Sequence, residues 1–74
     1  MEITIDKDAD AMYIKFSNAK FAKNKKIDDE TIIDIDTNGK IKGIEILDVS
    51  KRISPDFLKQ VRVKNIELVE DWFY

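Results

Sequence analysis

From Thr31 to Val49, isoleucines alternate with charged residues on both sides of Asp36-Thr37-Asn38-Gly39. A period of two marks a strand with one covered face. The β-branched side chains of Ile32, Ile33, Ile35, Ile41, Ile44 and Ile46 suit a pleated surface. Thr31–Asp36 and residues 40–49 are therefore read as the two arms of a hairpin. A type I turn followed by a left-handed Gly39 would set Asp36 opposite Lys40, Ile35 opposite Ile41 and Asp34 opposite Lys42. Opposite charges then face each other on one side and isoleucines on the other. A two-residue loop would set Ile35 against Lys42 and Asp36 against Ile41, so the charge pattern selects the longer loop. Beyond Gly43 the parity changes, with Ile44 and Ile46 out of phase with Ile41. A glycine inside a strand marks a bulge or a close backbone approach. Either a bulge re-aims the chain at Gly43, or both faces of this strand are covered.

The N-terminal part repeats the period. Ile3 and Ile5 alternate with Glu2, Thr4 and Asp6. Residues 11–17 place Met12, Ile14 and Phe16 on one face and Tyr13, Lys15 and Ser17 on the other. Asp6, Asp8 and Asp10 lie between these two segments, and aspartates favour turns by bonding nearby backbone N–H groups. Phe21–Asp28, with its lysines, reads as an edge strand or an irregular extended segment; lysines along an edge deter sheet-to-sheet aggregation, and the alternative is a basic contact for RNA or an acidic protein. Ser54-Pro55-Asp56 has the chemistry of a helix start: an N-cap, a proline for the first turn, and an acid at the positive end of the dipole. Phe57, Leu58 and Val61 then form a stripe that can cover the sheet. Residues 63–74 fit a helix or a strand. The expected fold is α+β, a small antiparallel β-meander of about five strands with a C-terminal helix packed on one face. A single domain spans 1–74, with the meander in 1–50 and the helix and tail in 51–74.

The chain has 74 residues, no Cys and no His. A domain of this size buries only about 60–65% of its unfolded surface, which leaves little room for a deep pocket. Without Cys there is no disulfide, thiolate zinc site or thiol nucleophile. Without His, the usual base near neutral pH and the commonest transition-metal ligand are missing. The net charge of −2 gives no general pull toward nucleic acid. No apolar run approaches the about 20 residues of a membrane helix. Residues 1–6 carry no basic, apolar leader, so a cytoplasmic protein is expected.

One motif matches a metal site formally. Asp34-x-Asp36-x-Asn38-Gly39-x5-Glu45 satisfies the calcium-loop pattern of hard oxygen ligands around a sharp turn. The flanking sequence favours strands over the two helices such a loop needs, so calcium binding through Asp34, Asp36, Asn38 and Glu45 is the alternative to a plain hairpin. The cluster Asp6, Asp8 and Asp10 is read as turn-capping. There is no Gly-rich phosphate loop and no nucleophile elbow, and no catalytic residue is expected. Trp72, Phe73 and Tyr74 close the chain. They could complete the domain's own core, or lie against another chain where aromatic residues concentrate.

Asp6-x-x-Ala9-Asp10-Ala11-x-Tyr13-Ile14 and Asp34-x-Asp36-x-x-Gly39-x-x-x-Gly43-Ile44-Glu45-Ile46-Leu47, with Ile27-Asp28-Asp29, resemble the two motifs of a small bacterial and archaeal family of unknown function. It is unknown-function domain number twenty-two eighty-three, and the likeness covers about residues 3–50. The resemblance implies an antiparallel meander with a C-terminal helix, and a hairpin at the calcium-like loop. It implies no catalytic residue and no cofactor. Genes for similar proteins often stand beside small toxin-like genes, which implies an antitoxin-like or other partner-binding role.

A non-enzymatic protein-binding module without cofactor is therefore expected. Its partners would be a second copy of itself and a small toxin-like protein, with no nucleic acid and no membrane. Ile66, Leu68, Trp72, Phe73 and Tyr74 are the expected interface. Asp6, Asp10, Gly39 and Gly43 are expected to shape turns.

Overall fold

The computed structural model describes residues 1–54, 56–60 and 62. Five strands form one antiparallel sheet: β1 (Glu2–Asp6), β2 (Ala11–Lys15), β3 (Phe21–Asp28), β4 (Thr31–Asp36) and β5 (Ile41–Leu47). Two single-turn helices follow, α1 (Val49–Arg52) and α2 (Phe57–Gln60). The α+β class, the five strands and the C-terminal helical segment agree with the sequence. The order across the sheet is β1-β2-β5-β4-β3. A meander thus runs through β3, β4 and β5 only. The β1–β2 hairpin is added by pairing β2 with β5.

This order requires residues 16–20 to carry the chain past the ends of β5 and β4. Three strand spacings amount to about 14 Å, and six extended steps from Lys15 to Phe21 reach about 20 Å. The crossing is hydrogen-bonded along its way. The amides of Phe16 and Ser17 donate to the Lys42 carbonyl at 2.8 and 3.3 Å, and Thr37 N–H donates to the Lys20 carbonyl at 3.0 Å. Phe16 lies beyond the end of β2 and is 45% exposed, so the strand that the alternation carries through Ser17 stops at Lys15.

The β4–β5 turn has the geometry expected of the longer loop. Gly39 N–H donates to Asp36 O at 3.0 Å, Gly39 has φ +80°, and Asp36 N–H donates to Lys40 O at 2.8 Å. Ile35 faces Ile41, but Asp34 faces Gly43 rather than Lys42. Lys42 is an extra residue between those two pairs, and its carbonyl is the one that receives the crossing chain. The parity change at Gly43 is therefore a β-bulge, which returns Ile41 to the face of Ile44 and Ile46.

Register divides the sheet into two faces. Ile3, Ile5, Met12, Ile14, Ile33, Ile35, Ile44 and Ile46 share one; Thr4, Tyr13, Glu45 and Asp34 share the other. The helical segment lies on the isoleucine side, where Val49, Ile53 and Phe57 line a hollow of about 300 Å³ with Ile5.

The C-terminal half differs from expectation in its starting point. Asp48 takes a left-handed conformation (φ 52°, ψ 43°), which ends β5, so Val49 opens a helix instead of continuing the strand. The Ser54 carbonyl accepts from Phe57 N–H at 3.0 Å, and α2 amounts to one turn. Pro55, Val61 and the side chain of Leu58 lie outside the described residues, as do residues 63–74.

The two glycines answer different needs. At Gly39 an added Cβ would meet nothing within 4 Å, so only φ is at issue. At Gly43 it would overlap the Tyr13 phenol and approach the Ile14 carbonyl oxygen to 2.9 Å. Gly39→Val should cost about 1–2 kcal/mol from left-handed strain. Gly43→Ala should cost about 1–3 kcal/mol from overpacking, and that cost should shrink when Tyr13 is already alanine. Urea unfolding of the single and double variants checks both, and an undiminished Gly43→Ala cost would contradict the packing.

Candidate functional site

Asp6, Asp10, Tyr13, Asp34 and Asp36 of the two sequence motifs are occupied with backbone and with other side chains. Asp6 Oδ1 accepts from the amides of Asp8 and Ala9, each at 3.0 Å, and so fixes the β1–β2 turn. Asp10 sits at φ 51° and reaches a segment 40 residues further on. Its carbonyl accepts from Val49 N–H at 3.1 Å, and its carboxylate accepts from Ser50 N–H at 3.0 Å and Ser50 Oγ at 2.7 Å. Asp48, the residue before α1, makes no side-chain cap, so Asp10 of the β1–β2 turn satisfies the first helical amides instead. The two Ser50 hydrogen bonds hold the Asp10 carboxyl below the usual carboxylate range.

Tyr13 lies across β5. Its neighbour there, Gly43, has no side chain, and the phenol passes over that gap to donate to Asp34 Oδ2 on β4 at 2.9 Å. One side chain thereby links three adjacent strands. Burial, then the hydrogen bond to Asp34 and the charges of Asp34 and Glu45, push the Tyr13 hydroxyl up to about 12.

The calcium alternative does not keep its geometry. Both segments flanking the loop are strands. Asp36, only 6% exposed, gives Oδ1 to the amides of Asn38 at 2.8 Å and Lys40 at 3.0 Å. Asp34 is bound to Tyr13, and Glu45 stands opposite Tyr13 and Ile32 in the middle of β5. Asp34, Asp36, Asn38 and Glu45 therefore do not converge on one point, and among the described residues no three acidic side chains gather as metal ligands. A β-hairpin satisfies the same spacing as a calcium loop because both need a glycine-assisted turn.

Two surfaces remain for contact. The isoleucine face is half-covered: among the described residues, only Met12 (3% exposed) and Val49 (9%) form a buried apolar core. The second surface is β3, whose eight residues are all exposed and which, among the described residues, pairs with β4 alone. The expected interface residues Ile66, Leu68, Trp72, Phe73 and Tyr74 lie outside the described residues. Sequence reasoning missed the Asp10–Ser50 cap, for which a separation of 40 residues leaves no local signal. It also missed the Tyr13–Asp34 bond, for which Gly43 was the only clue.

Together, fold and surfaces define a small α+β domain whose polar motif residues serve its backbone. The profile of the family described as "Protein of unknown function (DUF2283)" matches residues 2–50, and the chain belongs to that family. No match is found among curated proteins or among solved structures. Among the described residues, no helix is long and apolar enough to cross a membrane.

The raised Tyr13 value has a consequence at high pH. An acid harder to ionise in the folded state stabilises it fully below the unfolded value of 10.0 and less as pH rises toward about 12. Wild type should therefore lose stability between about pH 10 and 12 more steeply than Tyr13→Phe. Thermal unfolding across that window measures the difference, and parallel curves would contradict the assignment.

Proposed function

We propose that this domain is a non-catalytic protein-binding module that associates with a second copy of itself through its isoleucine face and its C-terminal segment. The observation that carries this reading is the half-covered state of Ile3, Ile5, Ile14, Ile33, Ile35, Ile44 and Ile46 on one face of a single sheet. Removing apolar surface from water is worth about 25 cal/mol per Å². A sheet whose cover among the described residues is two single helical turns gains from a further layer. Ile41, 50% exposed at the margin of this face, extends it toward solvent. Ile66, Leu68, Trp72, Phe73 and Tyr74 add apolar and aromatic chemistry of the kind that anchors interfaces. An antitoxin-like role, in which the module binds a small toxin-like protein, is the concrete form of the proposal. The missing His and Cys and the engagement of the motif carboxylates in backbone bonds support a binding role over a catalytic one.

Light scattering tests the self-association. The full chain should show twice the mass of one chain, and Ile41→Glu should weaken association at least tenfold. Deleting residues 66–74 should leave a monomer with the circular dichroism of a folded sheet. A monomeric full chain at high micromolar concentration, or a deletion that unfolds the sheet, would overturn this reading.

A further inference from the structure

We infer that the outer edge of β3 is a docking strand for an extended acidic segment of a partner protein. Among the described residues β3 has a neighbour on one side only, and every residue from Phe21 to Asp28 is exposed. An open edge offers a row of backbone N–H and C=O groups that another strand can complete. Its charge is of one sign over the usable stretch. Register shifts lie between Phe21 and Lys23 and between Lys26 and Asp28, so the regular ladder runs over Lys23-Asn24-Lys25-Lys26. Lys23 and Lys25 stand opposite Ile35 and Ile33, on the isoleucine face; Asn24 and Lys26 are on the other. Lys20 adds a fourth cation just before the strand. Among the described residues, Lys26 alone of these four makes an ion pair, at 3.2 Å with the exposed Asp29. Phe21 (48% exposed) and Ile27 (53%) supply an apolar contact at each end of the lysine run.

The same lysines decide which strand fits. Antiparallel pairing of β3 with its own copy would place lysine against lysine, for example Lys23 against Lys26, and directly opposed like charges destabilise a sheet. The edge therefore rejects a second copy of this chain. A strand with acidic residues at alternate positions would meet Lys23 and Lys25 along one face while its backbone completes the ladder. A nucleic acid would use the cations but not the backbone row. Phe21 alone gives no aromatic platform for stacking bases, and the chain as a whole is acidic, with net charge −2. The inference rests on the binding-module reading and names the chemistry of one partner. It uses the backbone edge of β3, at the margin of the isoleucine face rather than its middle, so a monomeric chain that still binds acidic peptide would remove the dimer and leave this site.

The probe is a blocked eight-residue peptide of alternating valine and glutamate, titrated by calorimetry into the full chain, with amide hydrogen exchange read by NMR. The peptide should bind, more weakly as salt rises, and should slow exchange in β3. A peptide with lysine in place of glutamate should not bind. Lys23→Glu/Lys25→Glu should weaken the acidic peptide at least tenfold and allow the basic one. If that variant fails to fold, Lys23→Gln/Lys25→Gln should still weaken acidic-peptide binding several-fold. No binding at millimolar peptide, unchanged affinity in the foldable variant, protection confined to other strands, or preference for an oligouridylate over the peptide would each overturn the inference.

Discussion

The hydrogen bond from Tyr13 to Asp34, laid over Gly43, is the interaction on which the sheet depends. The topology has a seam. β1 and β2 form one hairpin, β3, β4 and β5 form a meander, and among the described residues the β2–β5 pairing is the one strand ladder between the two units. Tyr13 starts on one side of that seam, crosses β5 and ends on β4. The crossing needs a residue without a side chain in the middle of β5, which Gly43 supplies. It also needs β4 and β5 in one register, which the bulge at Lys42 sets while turning its carbonyl toward the crossing chain at Phe16. Tyrosine, glycine, bulge and crossing loop thus form one connected arrangement. At the other end of the seam, Asp10 joins the β1–β2 turn to the start of α1 through Ser50.

It follows that the residues with the most chemistry in the sequence motifs are engaged in holding the fold. Asp6 and Asp36 cap turns, Asp10 caps a helix, and Asp34 receives the tyrosine. Carboxylates that accept from backbone amides or a phenol have part of their hydrogen-bonding capacity taken up within the fold. The two surfaces proposed for contact, the isoleucine face and the lysine edge, would differ in the occupant they admit: the first would bury apolar area, and the second would discriminate by charge before its backbone could pair.

The strands were legible because their period is local. Ile3 and Ile5, the alternation after Ala11 and the isoleucines around Gly39 each report one covered face within a few residues. The turn at Gly39 was legible too, since opposed charges distinguish the two loop lengths. The pairing of Asp34 was not: the bulge at Lys42 answers to the amides of Phe16 and Ser17, which arrive from another part of the chain. The order of strands was hidden for the same reason, because alternation says which face a residue takes but not which strand lies beside it. The helix at Val49 escaped notice because its cap comes from Asp10 and its own preceding residue, Asp48, makes none. The calcium pattern showed the converse failure. Asp34, Asp36, Asn38 and Glu45 have the right spacing in sequence, yet Asp34 is engaged by Tyr13 and Asp36 by the turn amides, and Glu45 lies in the middle of β5.

A double-mutant cycle on Tyr13 and Asp34, with Tyr13→Phe, Asp34→Ala and the pair measured by urea unfolding near neutral pH, tests the central claim most directly. If the phenol and the carboxylate hold the two halves of the sheet together, the single changes should be non-additive by about 1 kcal/mol or more. Additivity within about 0.3 kcal/mol would show that the two side chains contribute independently, and the seam would have to be held by the β2–β5 ladder, the Phe16 and Ser17 amides on Lys42, and the Asp10–Ser50 bonds.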